Sequence, residues 1–311
     1  MATARRIERV VLCGAGAVGA LYVPHLNALG PGALRVLASG ERRARLLAEG
    51  VTVNGRRHDV RVLAPGEPAE PADLLLVAVK QHHLAQAIED ARALAGKDTI
   101  VVSLLNGITS EAILARELPS EHVLPAFVLG TDSVREGTRS RHSSMGKIWF
   151  GAPSNDRADP RVAAVKDLLE RAGIPHEVPG DILREQWFKF MINVGVNQVS
   201  AVLRAPYGAF GAVPEVRELT RRASLEVVAL AAAEGIGLAG ADVDRMFPIL
   251  AGLAPDGKTS MLQDVEARRK TEVEIFAGAV VELGRRRGVP TPVNEVLGRE
   301  IAALEALARW R

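Results

Sequence analysis

Cysteine is almost missing from this chain of 311 residues. The single Cys13 rules out an intrachain disulfide, and no Cys or Cys/His pair has the spacing of a zinc site. That scarcity fits a reducing, cytoplasmic setting. Long apolar runs are missing too. A membrane helix needs about 18 to 20 uninterrupted apolar residues, and the segment VVALAAAEGIGLAG is shorter and carries Glu234. No membrane partner is expected. The N-terminal MATARRIERVVLCGAGAVG sets two short basic groups before an apolar run that ends in glycines, without a small-residue cleavage site, so no signal peptide is expected. An excess of charge of one sign is lacking as well: 39 Lys and Arg stand against 37 Asp and Glu, and the resulting +2 offers no large field to recruit nucleic acid. A small molecule is the expected partner. The seven histidines, including the adjacent His82 and His83, lack metal or relay spacing and read as surface or loop residues.

What is present has a clear order. This length exceeds what a single hydrophobic core usually organises, so two domains are expected. Over the first 180 residues short β-rich runs, RVVLCG (9–14), LRVLA (34–38), DLLLVAV (73–79) and TIVVSLL (99–105), alternate with helical patterns at 19–30, 41–50 and 83–96 that each stop at a glycine. That alternation predicts a parallel α/β sheet. The apolar segments 122–130 and 147–153 read as strands extending it, 161–174 as a further helix and 175–181 as a last short strand with a Pro179–Gly180 turn. Beyond 180 the pattern is almost wholly helical. The predicted fold class is α/β, with an N-terminal Rossmann-type parallel sheet domain (1–180) followed by an all-α C-terminal domain (181–311). Long helices there offer surface for a homodimer, although the oligomeric state is not readable. Arg285, Arg286 and Arg287 end a helix before Gly288 and Pro290, where cations offset the helix dipole.

The loop Gly14-Ala15-Gly16-Ala17-Val18-Gly19 ends the first strand and opens a helix, so its backbone amides face a dinucleotide pyrophosphate. Gly14 permits the tight turn, Gly16 the approach of phosphate and Gly19 the packing of helix on sheet. Cys13 beside it reads as a small buried hydrophobe. An acid at the end of the second strand would bind the ribose diol of NAD. Here the tip is Ala38-Ser39, followed by Glu41, Arg42 and Arg43. The two arginines suit the 2′-phosphate of NADP. Glu41 is the counterweight, as a ribose ligand or a solvated first-turn acid.

From Trp187 to Leu203 the sequence is apolar on nearly every side except at Lys189, Asn193 and Asn197, spaced i, i+4, i+8. On a regular helix these three share one narrow stripe of about 80°. Burying an ammonium and two amides without partners would cost several kcal/mol, on the order of 2 to 7 for each amide, so a polar substrate is expected along the seam. The alternative is that the asparagines bond to neighbouring backbone while Lys189 snorkels to solvent.

In these motifs the chain resembles the ketopantoate reductases almost from end to end. The family pattern has a GxGxxG loop, a lysine after the fourth strand, an Asn-Gly after the fifth, a Lys-x-x-x-Asn-x-x-x-Asn helix, and Ser-Met-x-Gln-Asp with a following Glu. In this sequence those are Gly14 to Gly19, Lys80 in VAVKQHH, Asn106-Gly107 in SLLNGI, Lys189 with Asn193 and Asn197, Ser260 in SMLQD, and Glu272. The resemblance implies NADPH-dependent reduction of 2-dehydropantoate to pantoate, as in pantothenate biosynthesis, or of a related 2-oxo acid. It implies Lys189 as the general acid, Asn193, Asn197 and Ser260 as substrate ligands, and Lys80, Asn106 and Glu272 as residues that contact or position the cofactor. Ser39 stands where members commonly carry an arginine, which moves the 2′-phosphate to Arg42 or Arg43. Tyr207 stands where some members carry a substrate-binding asparagine.

The chemistry suits such a reduction. Hydride arriving at a carbonyl carbon leaves charge on oxygen, which a partly desolvated ammonium can stabilise and then protonate. The substrate is expected in the cleft between the two halves. Glu272 is expected to bond the nicotinamide ribose and to tune Lys189, unless it is an ordinary solvated acid beside Arg268 and Arg269. Two other readings stay open: a hydroxyacid dehydrogenase working in the oxidising direction, and a cofactor-sensing regulator without chemistry.

Overall fold

The computed structural model describes residues 5–118, 123–156 and 158–310, so residues 1–4 of the basic N-terminal stretch and His122 of one expected strand lie outside the described residues. The chain divides into two compact units, residues 1–105 with 110–182 and residues 106–109 with 183–311.

In the first unit the order is β1 (Val10–Cys13), α1 (Gly19–Asn27), β2 (Leu34–Leu37), α2 (Gly40–Glu49), β3 (Val51–Val53), β4 (Arg56–His58), β5 (Arg61–Leu63), β6 (Leu74–Val77), α3 (Leu84–Ala91), β7 (Ile100–Ser103) and α4 (Ser110–Glu117). Then come β8 (Val123–Leu124), β9 (Ala126–Thr131), β10 (Val134–Glu136), β11 (Arg139–Arg141), β12 (Met145–Phe150), α5 (Pro160–Arg171) and β13 (His176–Glu177). Among the described residues six strands pair in parallel in the order β5-β2-β1-β6-β7-β8. Strand side chains alternate between two cores. Val10 and Leu12 pack with Leu21 of α1 and Leu168 of α5, while Val11 and Cys13 pack with Leu84 and Ile88 of α3 and Leu114 of α4. A parallel sheet needs this cover on both faces. Burial also pushes the Cys13 thiol up to about 12, which leaves it protonated. This is the expected Rossmann-type sheet, and the strand order reverses at β1 and β6, whose carboxyl ends form the crevice where such sheets bind ligands.

Two features differ from the sequence reading. The segments 122–130 and 147–153 extend the main sheet only through β8, which pairs with β7. Pro125 follows, with no N–H to continue a ladder, and β9 turns away to pair antiparallel with β12, whose other edge takes β13. The second feature is a hairpin, β3–β4, turning at Asn54 (φ 47°) and Gly55 (φ 81°), an Asn-Gly signature of two-residue loops. It joins β11 and β10 in a four-stranded sheet.

The second unit is helical among its described residues: α6 (Ile182–Ile192), whose first residue counts with the first unit, then α7 (Gln198–Leu203), α8 (Ala209–Ala212), α9 (Pro214–Ala233), α10 (Gly240–Ala251), α11 (Ser260–Glu266), α12 (Ala277–Arg287) and α13 (Pro292–Trp310). Its core gathers Phe190, Val194, Val199, Val227, Leu230, Met246, Phe276, Val280 and Ile301. Residues 193–197 between α6 and α7 form a π-helical turn rather than the regular helix that the i, i+4, i+8 reading assumed. A Cβ on Gly195 would lie 2.2 Å from Ser224 Oγ and 3.1 Å from Thr220 O, so only glycine lets α9 come this close. Gln198 Nε2 donates to Val194 O at 2.8 Å, satisfying a carbonyl inside the turn. The stretch 259–288 is likewise broken, because α11 stops at Glu266 and a short 3-10 turn at Val273–Ile275 precedes α12. Among the described residues no helix is long and apolar enough to cross a membrane.

The glycines of the loop differ in the room the fold leaves them, as their separate expected roles require. A Cβ on Gly19 would sit 2.0 Å from Gly14 O, whereas one on Gly16 would meet only Ala78 O at 3.7 Å. Gly19→Ala is therefore expected to cost about 1 to 3 kcal/mol of strain, lowering the melting temperature by several degrees. Gly16→Ala should melt with the parent, and calorimetry of both proteins checks the contrast; equal melting of all three would remove the steric account of Gly19.

Candidate active site

The glycine loop begins where Ala78 N donates to Cys13 O at 2.8 Å, tying the ends of β1 and β6. Gly14 has φ +103°, and a Cβ there would meet the Ala78 carbonyl at 2.8 Å. Gly14, Ala15 and Gly19 are buried, while Gly16, Ala17 and Val18 are partly exposed. The first turn of α1 holds no acid and no side chain caps it; the Ala20 and Leu21 amides donate to Gly16 O and Val18 O at 3.0 and 3.1 Å, so the amides left to face the rim are those of the loop itself.

At the tip of β2 Ser39 is exposed and precedes α2 without bonding to it, and Glu41 is an exposed acid in the first turn of α2. The structure distinguishes the two arginines. Arg43 leans on Glu67 at 4.0 Å. Arg42 is half-buried, and burial followed by Arg45 lowers its guanidinium below the ordinary value. His83 is also held down, by burial first and then by His82, Arg42 and Lys80. Cations from α2 and from the segment after β6 thus gather at the carboxyl end of the sheet. Exposed Lys80 belongs to this group.

In the second unit Lys189, Asn193 and Asn197 are partly exposed on a helix whose residues Trp187, Phe188, Phe190, Met191, Val194 and Val196 are buried. Lys189 Nζ donates to Asn106 Oδ1 at 3.0 Å. Asn106 Nδ2 in turn donates to Glu272 Oε2 at 3.0 Å. Three residues far apart in sequence therefore form one hydrogen-bonded chain. Gly107, with φ +90° and Ile275 at 3.4 Å from its notional Cβ, lets the Asn106 segment lie against the turn after Glu272. Among the described residues neither Asn193 nor Asn197 has a side-chain hydrogen bond to protein.

Glu272 lies in the break between α11 and α12. Its neighbour Thr271 donates from N and Oγ1 to Glu305 Oε1 at 2.8 and 2.6 Å, which pins the backbone on α13. The nearby cations are engaged elsewhere, Arg269 with Asp264 and Lys270 with Glu274. The Thr271–Glu305 clamp escaped the sequence reading, since a Thr and a Glu on separate helices carry no local signal. Ser260 is exposed at the first position of α11, directly after Thr259, whose Oγ1 accepts from Leu262 N at 3.1 Å. α11 packs on α7 and on the π turn. Tyr207 is half-buried, its amide donating to Gly257 O at 2.9 Å and its ring 3.0 Å from where a Gly257 Cβ would stand. Burial raises its phenol above the ordinary value.

Residues 10–155 match the family described as ketopantoate reductase PanE/ApbA, and residues 181–305 match its C-terminal part. The 2-dehydropantoate 2-reductase of Halobacterium salinarum is 32% identical over 297 residues, covering 93% of this chain and 96% of that protein. That of Archaeoglobus fulgidus is 28% identical, covering 97% of this chain and 99% of that protein. Among solved structures, a PanE/ApbA family ketopantoate reductase from Ralstonia eutropha is 26% identical with a TM-score of 0.82, covering 97% of this chain and 99% of that one. D-mandelate dehydrogenase with NADH and anilino(oxo)acetate shares the fold at 22% identity, with a TM-score of 0.84 over 97% of this chain and 99% of that one. With both family segments matched in order, and a relative above 30% identity spanning nearly the whole of each protein, this chain belongs to the ketopantoate reductase family.

Proposed function

We propose that this chain reduces 2-dehydropantoate, or a closely related 2-oxo acid, to the 2-hydroxy acid with NADPH, residues 1–180 serving as the cofactor domain and 181–311 as the substrate domain. The observation that carries the reading is the Lys189–Asn106–Glu272 chain on a helix with two further asparagines. The glycine loop fits a dinucleotide: Gly14 and Gly19 have no room for a Cβ, while Gly16 sits on the open rim with room to spare. Loop amides from Gly14 to Gly19 would take the pyrophosphate, Arg42 the 2′-phosphate with Ser39 beside it, and Lys80, Asn106 and Glu272 would contact or position the rest.

NADPH, when bound, would supply the hydride for the C2 carbonyl carbon. Lys189 Nζ bonds the carbonyl oxygen as negative charge builds there, then transfers its proton to that oxygen and completes the alcohol. Asn106 fixes the direction of the ammonium, and Glu272 holds Asn106 in turn. Asn193 and Asn197 hold the oxygens of the substrate, and Ser260 its carboxylate. Tyr207 favours a related 2-oxo acid over 2-dehydropantoate itself, because a ring stands where some members carry a substrate-binding asparagine.

Lys189→Ala should lower kcat by about 10² to 10⁴-fold with NADPH affinity hardly changed, whereas Asn197→Ala should act mainly on KM for the oxo acid. Both proteins are first compared with the parent by thermal unfolding. A well-folded Lys189→Ala with near-parental kcat on its best substrate, found by screening ketopantoate and branched or aryl 2-oxo acids, would refute the mechanism.

The cofactor assignment has its own check. kcat/KM with NADPH should exceed that with NADH, and Gly16→Ala should weaken binding of both without altering the melting temperature. Parity of the two cofactors would return the choice to Glu41.

A further inference from the structure

Arg135 on β10 lies outside every motif discussed so far. Its strand is one edge of the four-stranded sheet, and the register pairs Arg135 with Ser140 on β11. Paired residues in an antiparallel ladder point to the same face, as do residues i and i+2 along one strand. Ser133, Arg135 and Ser140 therefore share a face, while Val134 and Glu136 point the other way and are exposed. That shared face looks at the glycine loop. Ser133 Oγ donates to Ala17 O at 2.7 Å and lies 3.0 Å from the buried Ser140 Oγ. The hairpin is also rigidly seated, since Thr52 N donates to Thr138 O at 3.0 Å, Asn54 N to Ser140 O at 2.9 Å and His142 N to Asn54 Oδ1 at 2.9 Å.

Arg135 thus lies on the strand face whose Ser133 bonds Ala17 of the loop, and the charges that act on it are those of Arg42 and Arg45 on α2. Burial, then Arg42 and Arg45, push the Arg135 guanidinium down to about 10. Among the described residues no carboxylate lies within ion-pair distance of Arg42, Arg45 or Arg135, although ion pairs hold Arg43 and many other arginines of the chain. Three like charges brought together without an acid repel one another, and a dianion would relieve that repulsion.

We propose that Arg135, together with Arg42 and Arg45, binds the 2′-phosphate of the cofactor and sets the preference for the phosphorylated dinucleotide. This rests on the reading of the glycine loop as a dinucleotide site. The phosphate would be clamped from two sides, by the helix after β2 and by the hairpin anchored to Ala17. A guanidinium fork suits that geometry better than an ammonium.

Titration of NADPH and of NADH into the full-length protein, followed by nucleotide fluorescence, separates the possibilities. Arg135→Ala should weaken NADPH by about 10- to 100-fold and leave NADH within about twofold, the intact NADH affinity serving as the check on folding. Arg135→Lys should fall between the two, keeping charge without the fork, and Arg135→Gln offers a milder neutral variant should the alanine protein fail to fold. A parent preference for NADPH that survives Arg135→Ala or Arg135→Gln overturns the assignment while leaving the cofactor reading intact. Equal loss of NADPH and NADH affinity would show a role in seating the hairpin only, and also overturns it. A parent protein that binds both cofactors equally overturns the cofactor reading and this assignment together.

Discussion

An ammonium in the wall of an apolar helix must be met by hydrogen-bonding groups that the fold brings from elsewhere, and in this chain that requirement organises the helical unit. Trp187, Phe188, Phe190 and Met191 around Lys189 are all buried, so its Nζ can turn only to the partly exposed line it shares with Asn193 and Asn197. Asn106 meets it there, and Glu272 meets Asn106. Each link has its own support. Gly107 gives the Asn106 segment a conformation that L side chains rarely adopt, Thr271 fastened to Glu305 fixes the backbone beside Glu272, and Gly195 admits α9 against the π turn that carries the two asparagines.

Much of the sheet was legible because its signal is local. A strand covered on both faces must be apolar throughout, and the runs at 9–14, 34–38, 73–79 and 99–105 contain β1, β2, β6 and β7. The β3–β4 hairpin escaped notice because RRH on its second strand is exposed and carries no apolar run, even though Asn54-Gly55 marks its turn. The separate course of β9 hinges on Pro125, whose effect depends on whether another strand waits to pair with the diverted segment; β12 does. In the helical unit the polar residues were legible and their geometry was not. A π turn and an α turn are written with the same residues, and the tertiary contacts that accompany the turn here, Gly195 against Ser224 and Gln198 on Val194 O, have no local signal. The joining of Asn106 to Glu272 across 166 positions has no periodicity by which to be seen.

The loop from Gly14 to Gly19 makes a related point about reading motifs residue by residue. Its three glycines were expected to differ in role, and two of them are dictated by the protein's own atoms while the middle one is not. A glycine that the fold does not need stands on the open rim, where backbone rather than side chain faces outward. The arginines after β2 divide in the same way: Arg43 is drawn toward Glu67, while Arg42 is left among other cations. Adjacent residues of one type therefore differ in what they can offer a ligand, by a difference that lies wholly in their neighbours.

Family membership constrains the two ends of such an enzyme unequally. If Lys189 is the proton donor, the reaction class follows from the Lys189–Asn106–Glu272 chain, because any carbonyl oxygen placed against that ammonium experiences the same stabilisation as charge develops. Nothing in that chain reads the rest of the substrate. The side chains that would read it lie on the π turn and at the start of α11, and the loop leading into α11 is held by Tyr207, through its amide on Gly257 O and its ring against Gly257. A half-buried ring that packs a loop is a different constraint from an amide that bonds a ligand: it fixes the position of Thr259 and Ser260 by shape and donates nothing to substrate unless its hydroxyl does so. If the acid accepted by this chain differs from that of the 2-dehydropantoate 2-reductases 25 to 32% identical to it, the position to examine first is Tyr207.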